Sequence, residues 1–278
     1  YSYIKNNLKN IYTWKAVPAK RNLTVADLQA SKGKKIFTQV TANNEEEALA
    51  AGVAGIDMII CNAHNVEAVR RGNNELFLTA ALGLPDYPTK SDVINGAFKA
   101  LALGADAIMT ARSMSVVSML ANEDIPVMGH LGLVPRKSTW TGGLRAIGKT
   151  SEEAFELYNK FKKLEEAGAF AVEAEVITCQ VMQEISKKTS LITVSLGSGR
   201  GGDVMYLFMQ DICGEQPTAP RHARAFANLW KLKQQIKEDR ITALKNFRQA
   251  SLDGNFPSDA ESTSIGSEEF ENFLTMIK

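Results

Sequence analysis

The sequence predicts an α/β protein, specifically a (β/α)8 TIM-type barrel with extra C-terminal helices. Between about residues 34 and 209, eight short apolar runs alternate with amphipathic helical stretches, which favours parallel strands joined by right-handed crossovers. The chain of 278 residues also suits a closed barrel, which takes about 250 residues. A doubly wound open sheet is the competing architecture, because strand counting does not separate the two. Both architectures place ligands beyond the C-terminal ends of the strands.

Each predicted strand is a short apolar run between turn-forming or polar segments, as expected for a buried strand. In chain order, the runs begin at Ile36, Ile56, Leu76, Asp106, Ile125, Phe170, Leu191 and Val204. Helical stretches at residues 45–55, 91–104 and 151–168 lie between them. Because ligands bind at the strand ends of such folds, functional residues are expected just after each run.

The stretch 151–168 has the clearest helical pattern. Thr150 followed by Glu153 fits a capping box at its start, and Gly168 supplies a stop signal. Apolar residues recur at helical spacing at positions Phe155, Tyr158, Phe161, Leu164 and Ala167. We therefore expect one helix that ends at Gly168.

The two ends of the chain differ from the repeating middle, which divides the sequence into three predicted parts. Residues 1–23 carry aromatic residues and lysines without a strand–helix repeat, and form a predicted N-terminal arm packed on the domain or on a partner. Residues 24–215 form the predicted barrel. Residues 216–278 form a predicted C-terminal helical extension, with one or two helices in 225–250, an exposed loop in 251–267 and a final helix.

Composition and charge argue against several classes of partner. Lys and Arg number 32 and Asp and Glu number 31, a net charge of +1, so bulk charge attracts neither nucleic acid nor anionic lipid. No apolar run approaches the roughly 20 residues of a membrane-spanning helix, and the first residues lack the apolar core of a secretory signal. Cys61, Cys179 and Cys213 are scattered and form no disulfide or zinc pattern. The expectation is a cytoplasmic protein with no nucleic-acid partner and no membrane association.

Several segments together resemble one enzyme family. They are IPVMGHLGLVP at 125–135, GGLRAIGKT at 142–150, LEEAGAFAVEAEV at 164–176 and VSLGSGRGGDVMYLFMQD at 194–211, with further likeness at 23–44 and 67–72. The chain is thus similar to the ketopantoate (3-methyl-2-oxobutanoate) hydroxymethyltransferases of the phosphoenolpyruvate mutase/isocitrate lyase superfamily. The resemblance implies a TIM-type barrel, often with swapped C-terminal helices.

The resemblance also implies a reaction. In this family a one-carbon unit passes from 5,10-methylenetetrahydrofolate to the α-carbon of 3-methyl-2-oxobutanoate, and a divalent metal chelated by the keto acid stabilises the enolate. Such chemistry needs a base at carbon and positive charge at the developing oxyanion.

The metal-binding positions of the family are changed in this sequence. Asn62 and Ala63 stand where the family has aspartate and serine, Ala81 stands for a second aspartate, and Met109 and Ala111 stand for a lysine and a glutamate. Because Mg²⁺ prefers anionic oxygen ligands, we predict no family-type metal site and no bound cofactor. The folate remains a candidate co-substrate.

Other site positions of the family are kept. Glu175 aligns with the glutamate proposed as the family's base, and His130 ends a strand within GHLGL, so both are predicted catalytic residues. Glu173 lies on the same strand face as Glu175, and an Arg or Lys partner is expected for one of the two carboxylates.

The predicted substrate-binding residues are Asn62, Ala63, Arg112 and Ser198. A guanidinium at Arg112, next to the former metal position, could hold a carboxylate; an outward-pointing arginine at a helix start is the alternative. Ser198 belongs to the glycine-rich segment 197–202, whose glycines suit tight turns beside the site. The expected partners are a small-molecule substrate, taken to be a carboxylate, and further copies of the chain in a homo-oligomer.

Three functions remain open from the sequence. The first is a hydroxymethyltransferase-like enzyme acting on a small α-keto acid or related carbonyl compound, with Glu175 as acid/base and without the family's metal. The second is a metal-independent carbon–carbon lyase, transferase or isomerase with a different substrate. The third is a non-catalytic scaffold or ligand-binding descendant of the family. An open pocket at the strand ends favours the first two, and a pocket filled by Met109 and its neighbours favours the third.

Overall fold

The structure is a computed structural model that describes residues 8–278, and a closed barrel of eight parallel strands forms its core. The barrel strands are β3 (Phe37–Thr41), β4 (Met58–Asn62), β5 (Phe77–Ala81), β6 (Ala107–Met109), β7 (Val127–Gly132), β8 (Ala171–Glu175), β9 (Ile192–Leu196) and β10 (Val204–Leu207). They follow one another around the barrel in chain order, and β10 pairs with both β9 and β3. This closure confirms the predicted barrel and excludes the doubly wound open sheet.

A hairpin of two short antiparallel strands, β1 (Lys9–Tyr12) and β2 (Pro18–Arg21), precedes the barrel. It lies within the predicted arm 1–23, whose first seven residues fall outside the described part of the chain. The Arg21 side chain at the end of β2 is buried and bonds to Asp106, just before β6. The described part of the arm is therefore joined to the barrel itself.

Eleven helices are described in residues 8–278. They are α1 (Val25–Ser31), α2 (Glu45–Val53), α3 (Val66–Gly72), α4 (Lys90–Ala102), α5 (Met114–Ala121), α6 (Ser138–Thr141), α7 (Ser151–Glu166), α8 (Cys179–Lys188), α9 (Met209–Ile212), α10 (Leu229–Leu252) and α11 (Ser267–Met276). The predicted helical stretches correspond to α2, α4 and α7. No helix in this part of the chain is long and apolar enough to cross a bilayer.

Helix α7 matches the clearest helical prediction but differs at its start. The Thr150 hydroxyl accepts a hydrogen bond from the Glu153 amide, whereas the Glu153 carboxylate bonds to the N–H groups of residues 148 and 149 instead of to Thr150. Half of the expected capping box is therefore present. Phe155 is exposed, because the buried stripe of the helix consists of Leu157, Phe161 and Leu164. Gly168 has φ +90° and ends the helix as predicted.

Helix α1 covers the N-terminal end of the barrel interior. Its Leu28 is buried in a cluster with the first inward residues of the strands, including Phe37, Met58 and Phe77. Lys32, directly after α1, pairs with Asp203 at the start of β10, and Asp203 also accepts bonds from Thr193. This end is thus apolar inside and held by ion pairs around its rim, which assigns Asp203 to the fold and not to the opposite, C-terminal face.

The inward side chains become more polar toward the C-terminal ends of the strands. Side chains alternate along each strand, and alternate strands supply the members of each barrel layer. With the observed strand register, one layer consists of Gln39, Thr79, Met128 and Val194. The next consists of Ile60, Met109, Glu173 and Tyr206, and the two above it contain His130 and Glu175. A polar group is therefore built into the upper half of the barrel.

The C-terminal extension forms one long helix and one short helix. One or two helices were predicted in residues 225–250, and the structure has one, because α10 is continuous over 24 residues. The predicted loop 251–267 contains a short 3-10 turn at Asp259–Glu261. Neither α10 nor α11 has a buried residue, and large apolar side chains are exposed on both: Leu232, Ile236, Leu244, Phe247, Phe270 and Phe273.

Candidate active site

The C-terminal ends of the barrel strands surround a cavity of about 510 Å³, which we call the mouth cavity. Seven of the eight strands contribute inward residues to its wall: Thr41, Asn62, Ala81, Met109, His130, Glu173, Glu175 and Tyr206. The loops add further residues, among them Asn43, Arg136 and Glu215. A volume of a few hundred Å³ is typical of small-molecule sites, and this face is the one that carries the active sites of barrel enzymes.

Three ionisable side chains form a buried cluster in the wall of the mouth cavity. Strands β7 and β8 pair with His130 opposite Glu173, and Glu175 lies two residues further along β8. The Nε2 atom of His130 is 2.9 Å from Oε2 of Glu175 and 3.7 Å from Oε1 of Glu173. The side chains of His130, Glu173 and Glu175 are 8%, 5% and 10% exposed. The imidazole therefore bridges two carboxylates at the edge of the cavity.

Electrostatics within the cluster favour a protonated imidazole. Burial lowers the pKa of His130, but the charge of Glu173 and the hydrogen bond and charge of Glu175 outweigh it, so the pKa is raised above 6.5. Burial also raises the pKa of the Glu173 carboxyl, against the opposing effect of His130. The pKa of the neighbouring Tyr206 phenol is raised well above 10, by burial and by the two carboxylates. The cluster therefore combines a charged imidazolium with a buried Glu173 carboxyl whose pKa is raised.

The observed partner of the two carboxylates corrects one prediction. An Arg or Lys was expected beside Glu173 or Glu175, and the structure places His130 there instead. Imidazolium supplies the same positive charge as Arg or Lys, and unlike them it is a side chain that loses this charge more readily as the pH rises. Oε2 of Glu173 is buried and has no hydrogen-bond partner in residues 8–278, which leaves this carboxylate less stabilised than a fully bonded one.

The backbone after β8 holds Glu175 in place. Val176 has φ +47°, an uncommon conformation for a β-branched residue that carries strain. Its N–H donates to the carbonyl of Leu196, and its carbonyl accepts from Ile147. The Ser198 hydroxyl accepts from the Ile177 amide and donates to the Ala174 carbonyl. These bonds fix the chain on both sides of Glu175.

The structure brings some of the predicted site residues together and leaves others apart. Glu175, His130 and Asn62 line the mouth cavity, whereas Ala63 and Ser198 are buried outside its wall. Arg112 also lies away from the mouth cavity, because its guanidinium donates to the carbonyls of Tyr87 and Pro88 and lines a neighbouring cavity. Arg136 also lines the mouth cavity, although it was not among the site residues predicted from the sequence.

Four of the positions aligned with the family's metal-site residues, Asn62, Ala81, Met109 and Ala111, line the mouth cavity, but their side chains do not fit a magnesium ion. Asn62 offers one neutral amide oxygen, and Ala81 and Ala111 offer none. Within residues 8–278, a single group of three potential ligand atoms is found, at His130, Glu173 and Glu175, all within 4.8 Å of one another. This set includes an imidazole, which suits transition metals better than magnesium, and its Nε2 is already bonded to Glu175. The positions aligned with the family's ligands therefore lack the anionic oxygen atoms that magnesium prefers.

Tyr206 was missed as a site residue in the sequence analysis, although a signal was present. The predicted strand beginning at Val204 places Tyr206 on the same face as Val204 by the two-residue alternation of strands. Which residues of the other strands lie at the same level as Tyr206, however, depends on the strand register, and the sequence alone does not show the register. The structure places Tyr206 in one layer with Glu173, close enough for the carboxylate to influence its pKa.

The fold and the site together define a (β/α)8 barrel with an acid–base cluster at its C-terminal face. Solved structures with this fold include 2,3-dimethylmalate lyase, a phosphoenolpyruvate mutase/isocitrate lyase superfamily member (TM-score 0.53, 12% identity, 92% of this chain and 100% of that one). A phosphoenolpyruvate phosphomutase from Streptomyces platensis subsp. rosaceus is similar (TM-score 0.52, 13% identity, 92% of this chain and 100% of that one). At these identities the likeness shows the fold alone.

Comparison with relatives in sequence identifies the enzyme family to which this barrel belongs. The family model for ketopantoate hydroxymethyltransferase matches residues 62–259. The 3-methyl-2-oxobutanoate hydroxymethyltransferase of Thermotoga sp. (strain RQ2) is 31% identical, over 86% of this chain and 96% of the relative. The enzyme of the same name from Pyrococcus furiosus is 30% identical, over 85% of this chain and 90% of the relative. The chain belongs to the ketopantoate hydroxymethyltransferase family, as the sequence segments predicted.

Proposed function

We propose that this protein is a hydroxymethyltransferase-type enzyme acting on a small α-keto acid of the 3-methyl-2-oxobutanoate kind, with Glu175 as acid/base and without the family's divalent metal. The observation that carries the proposal is the bond between Glu175 and His130 at the wall of an open mouth cavity. Membership of the family supplies the reaction type. The open cavity also supports an enzyme over a scaffold, since Met109 lines the space without filling it.

Glu175 is placed to remove a proton from carbon. Its Oε2 is bonded to His130, whereas its Oε1 has no hydrogen bond within residues 8–278 and belongs to a residue that lines the cavity. The carbon next to the ketone loses its proton to this oxygen, and the electron pair remains as an enolate. The candidate one-carbon donor is 5,10-methylenetetrahydrofolate, whose methylene carbon takes up the oxygen of one water while both of its C–N bonds break, giving formaldehyde and tetrahydrofolate. The enolate carbon attacks the formaldehyde carbon, the C=O π bond breaks, and the proton held by Glu175 passes to the new alkoxide to give the hydroxymethyl group. A positioned base of this type contributes about 10²- to 10⁴-fold to a rate.

His130 supplies the positive charge that the family's metal would otherwise provide. The imidazolium is held charged by two carboxylates and lies in the cavity wall beside the base. A fixed positive charge in a water-poor site stabilises a developing oxyanion more than it does in bulk water. Arg136 faces the same cavity and suits the carboxylate of the keto acid.

The changed metal positions favour a second candidate, a metal-independent carbon–carbon lyase or isomerase with another carbonyl substrate. It uses the same proton transfer at Glu175 and differs in what the enolate does next. Incubation with 3-methyl-2-oxobutanoate, 5,10-methylenetetrahydrofolate and EDTA separates the two. Formation of the hydroxymethylated keto acid, detected by mass spectrometry, is the expected result. Proton exchange without that product favours the second candidate. If neither proton exchange nor the product is detected, both candidates are contradicted.

Glu173→Gln is predicted to move the alkaline limit of activity to lower pH. The reaction needs His130 protonated, so activity is present below the pKa of His130 and is lost as pH rises through it. The Glu173 charge helps to raise that pKa, and removing the charge lowers it. A kcat/KM profile against pH measures the shift, with Glu184→Gln on the surface of α8 as the control. An unchanged alkaline limit in Glu173→Gln would contradict the role given to His130.

We also propose a homo-oligomer, supported by the exposed apolar side chains of α10 and α11. Isolated apolar residues are normal on a surface, but contiguous apolar faces mark interaction sites. Size-exclusion chromatography with light scattering is expected to give a mass above the 30.4 kDa of one chain. Leu244→Asp with Phe247→Asp on α10 should lower that mass, and a monomeric parent protein would refute the proposal. The cytoplasmic location remains a prediction.

A further inference from the structure

A second cavity, which we call the lateral cavity, lies outside the barrel wall next to the mouth cavity. Its volume is about 680 Å³, and it is bounded by the outer face of β7, helices α5 and α7, and the segment 134–145 that contains α6. His130 and Val134 line both cavities. The lateral cavity is therefore adjacent to the site described above but built from different side chains.

The rim of the lateral cavity carries more positive than negative charge. Arg112, Lys137, Arg145 and Lys160 line it, together with the carboxylates Glu153 and Glu156. Arg145 and Glu153 neutralise each other, because a terminal guanidinium nitrogen of Arg145 is 2.7 Å from Oε1 of Glu153. Arg112, Lys137 and Lys160 make no ion pair in the described part of the chain, which leaves three cations facing one carboxylate.

These cations lie close enough to repel one another. Burial lowers the pKa of Lys137, and the charges of Arg112 and Lys160 lower it further. The Lys137 ammonium donates to the carbonyl of Ala111, and one terminal nitrogen of Arg112 donates to Tyr87 and Pro88. Both side chains are thereby fixed in place and retain other N–H donors. A bound anion would relieve the repulsion and accept those donors.

The rest of the cavity lining is largely apolar, with the hydroxyl side chains of Ser113 and Thr141 among it. Its floor consists of Val117, Leu157 and Leu164, and Trp140 at the rim is 90% exposed. A largely exposed tryptophan is unusual and offers a flat surface for stacking. An apolar floor, an aromatic rim residue and unpaired cations together fit a ligand with both a ring and several negative charges.

We infer that the lateral cavity binds an aromatic polyanion, that is, a flat ring bearing two or more phosphate or carboxylate groups. The cations at Arg112, Lys137 and Lys160 hold the anionic groups, and Trp140 stacks on the ring. The shared lining at His130 and Val134 places such a ligand beside the mouth cavity. Binding here does not depend on the reaction proposed for Glu175.

Calorimetry at low ionic strength, without keto acid, tests this site. The probes are ADP for a phosphate ligand, p-aminobenzoyl-triglutamate for a carboxylate ligand, and inorganic pyrophosphate for charge without a ring. We expect at least one ring-bearing probe to bind with Kd of about 1 mM or tighter and to weaken as salt is added. The probe that binds identifies the kind of anion, and failure of both ring-bearing probes would overturn the inference.

Four variants locate the binding. Lys137→Gln with Lys160→Gln is expected to weaken it about tenfold, whereas Lys237→Gln, on the exposed surface of α10, leaves it unchanged. Trp140→Ala should weaken the ring-bearing probe and leave pyrophosphate unaffected. Binding that is lost in Arg136→Gln and kept in the lysine double variant would place the anion in the mouth cavity and refute the lateral site. Thermal unfolding of each variant confirms that the fold is retained.

Discussion

Glu175→Gln is expected to lower the rate of proton removal from the keto acid by about 10²- to 10⁴-fold, the usual contribution of a positioned base. The substitution keeps the size of the side chain and a hydrogen-bonding group for His130, but removes the oxygen that takes the proton. The measurement is the exchange of the hydrogen on the carbon next to the ketone of 3-methyl-2-oxobutanoate for deuterium in D₂O, followed by proton NMR. This half-reaction needs no one-carbon donor, so it isolates the role of Glu175.

Glu184→Gln is the matched control for this experiment. Glu184 is an exposed carboxylate on α8 that pairs with Lys187, and its loss should leave the exchange rate unchanged. The free energy of unfolding of Glu175→Gln, measured in urea, shows whether the variant is folded. Exchange at the wild-type rate in a folded Glu175→Gln variant would remove this residue from the mechanism.

The largest expected effect on stability comes from Asp106→Ala, at the opposite end of the barrel. Asp106 accepts hydrogen bonds from the guanidinium groups of Arg21 and Arg70 and from the Leu78 amide. The two arginine side chains are 5% and 10% exposed. Burial lowers the pKa of Arg70 to about 10 even though Asp106 raises it. Removing the carboxylate leaves two buried positive charges without their partner, which costs about 3–5 kcal/mol.

Chemical unfolding of Asp106→Ala measures this cost. Asp239→Asn is the control, because Asp239 lies on the exposed surface of α10 and makes a local bond to Gln235. We expect the control to stay within about 0.5 kcal/mol of the parent protein. A loss below about 1 kcal/mol in Asp106→Ala would show that water or rearranged carbonyls satisfy the arginines.

The barrel strands were predictable because a short apolar run in the sequence indicates a buried strand. Each is a short, mainly apolar run whose side chains are mostly buried or half-buried, with Thr38 of β3 and Asn62 of β4 exposed, and all eight runs form barrel strands. Strands β1 and β2 were not predicted, since four residues of mixed polarity carry no periodic signal and their pairing depends on each other. The exposed position of Phe155 on α7 was missed for a related reason, because the direction of an apolar stripe depends on what it packs against.

The candidate site was predictable to the extent that it depends on strand ends. Glu175 ends β8 and His130 lies two residues before the end of the neighbouring strand β7, so parallel pairing of these strands brings the two residues close together. The partner of Glu173 was not predictable, because alternation gives the face of a side chain but not the residue across the strand. Arg112 was predicted to bind substrate because it directly follows Ala111 in the sequence, with an outward-pointing arginine as the alternative. The structure shows its guanidinium bonded to the carbonyls of Tyr87 and Pro88 and lining the cavity next to the mouth cavity, a position that the sequence alone does not give.

Deuterium exchange by the parent protein in EDTA, compared with the same protein in excess Mg²⁺, tests most directly whether proton removal at Glu175 runs without a metal. We expect the same exchange rate in both buffers, because Asn62, Ala81 and Ala111 present one neutral oxygen where the family's ligands would be. Metal analysis of the purified protein should find less than about one ion per chain, in keeping with that poor ligand set. Exchange that stops in EDTA and returns with Mg²⁺ would contradict metal-free catalysis and restore the metal-dependent reaction.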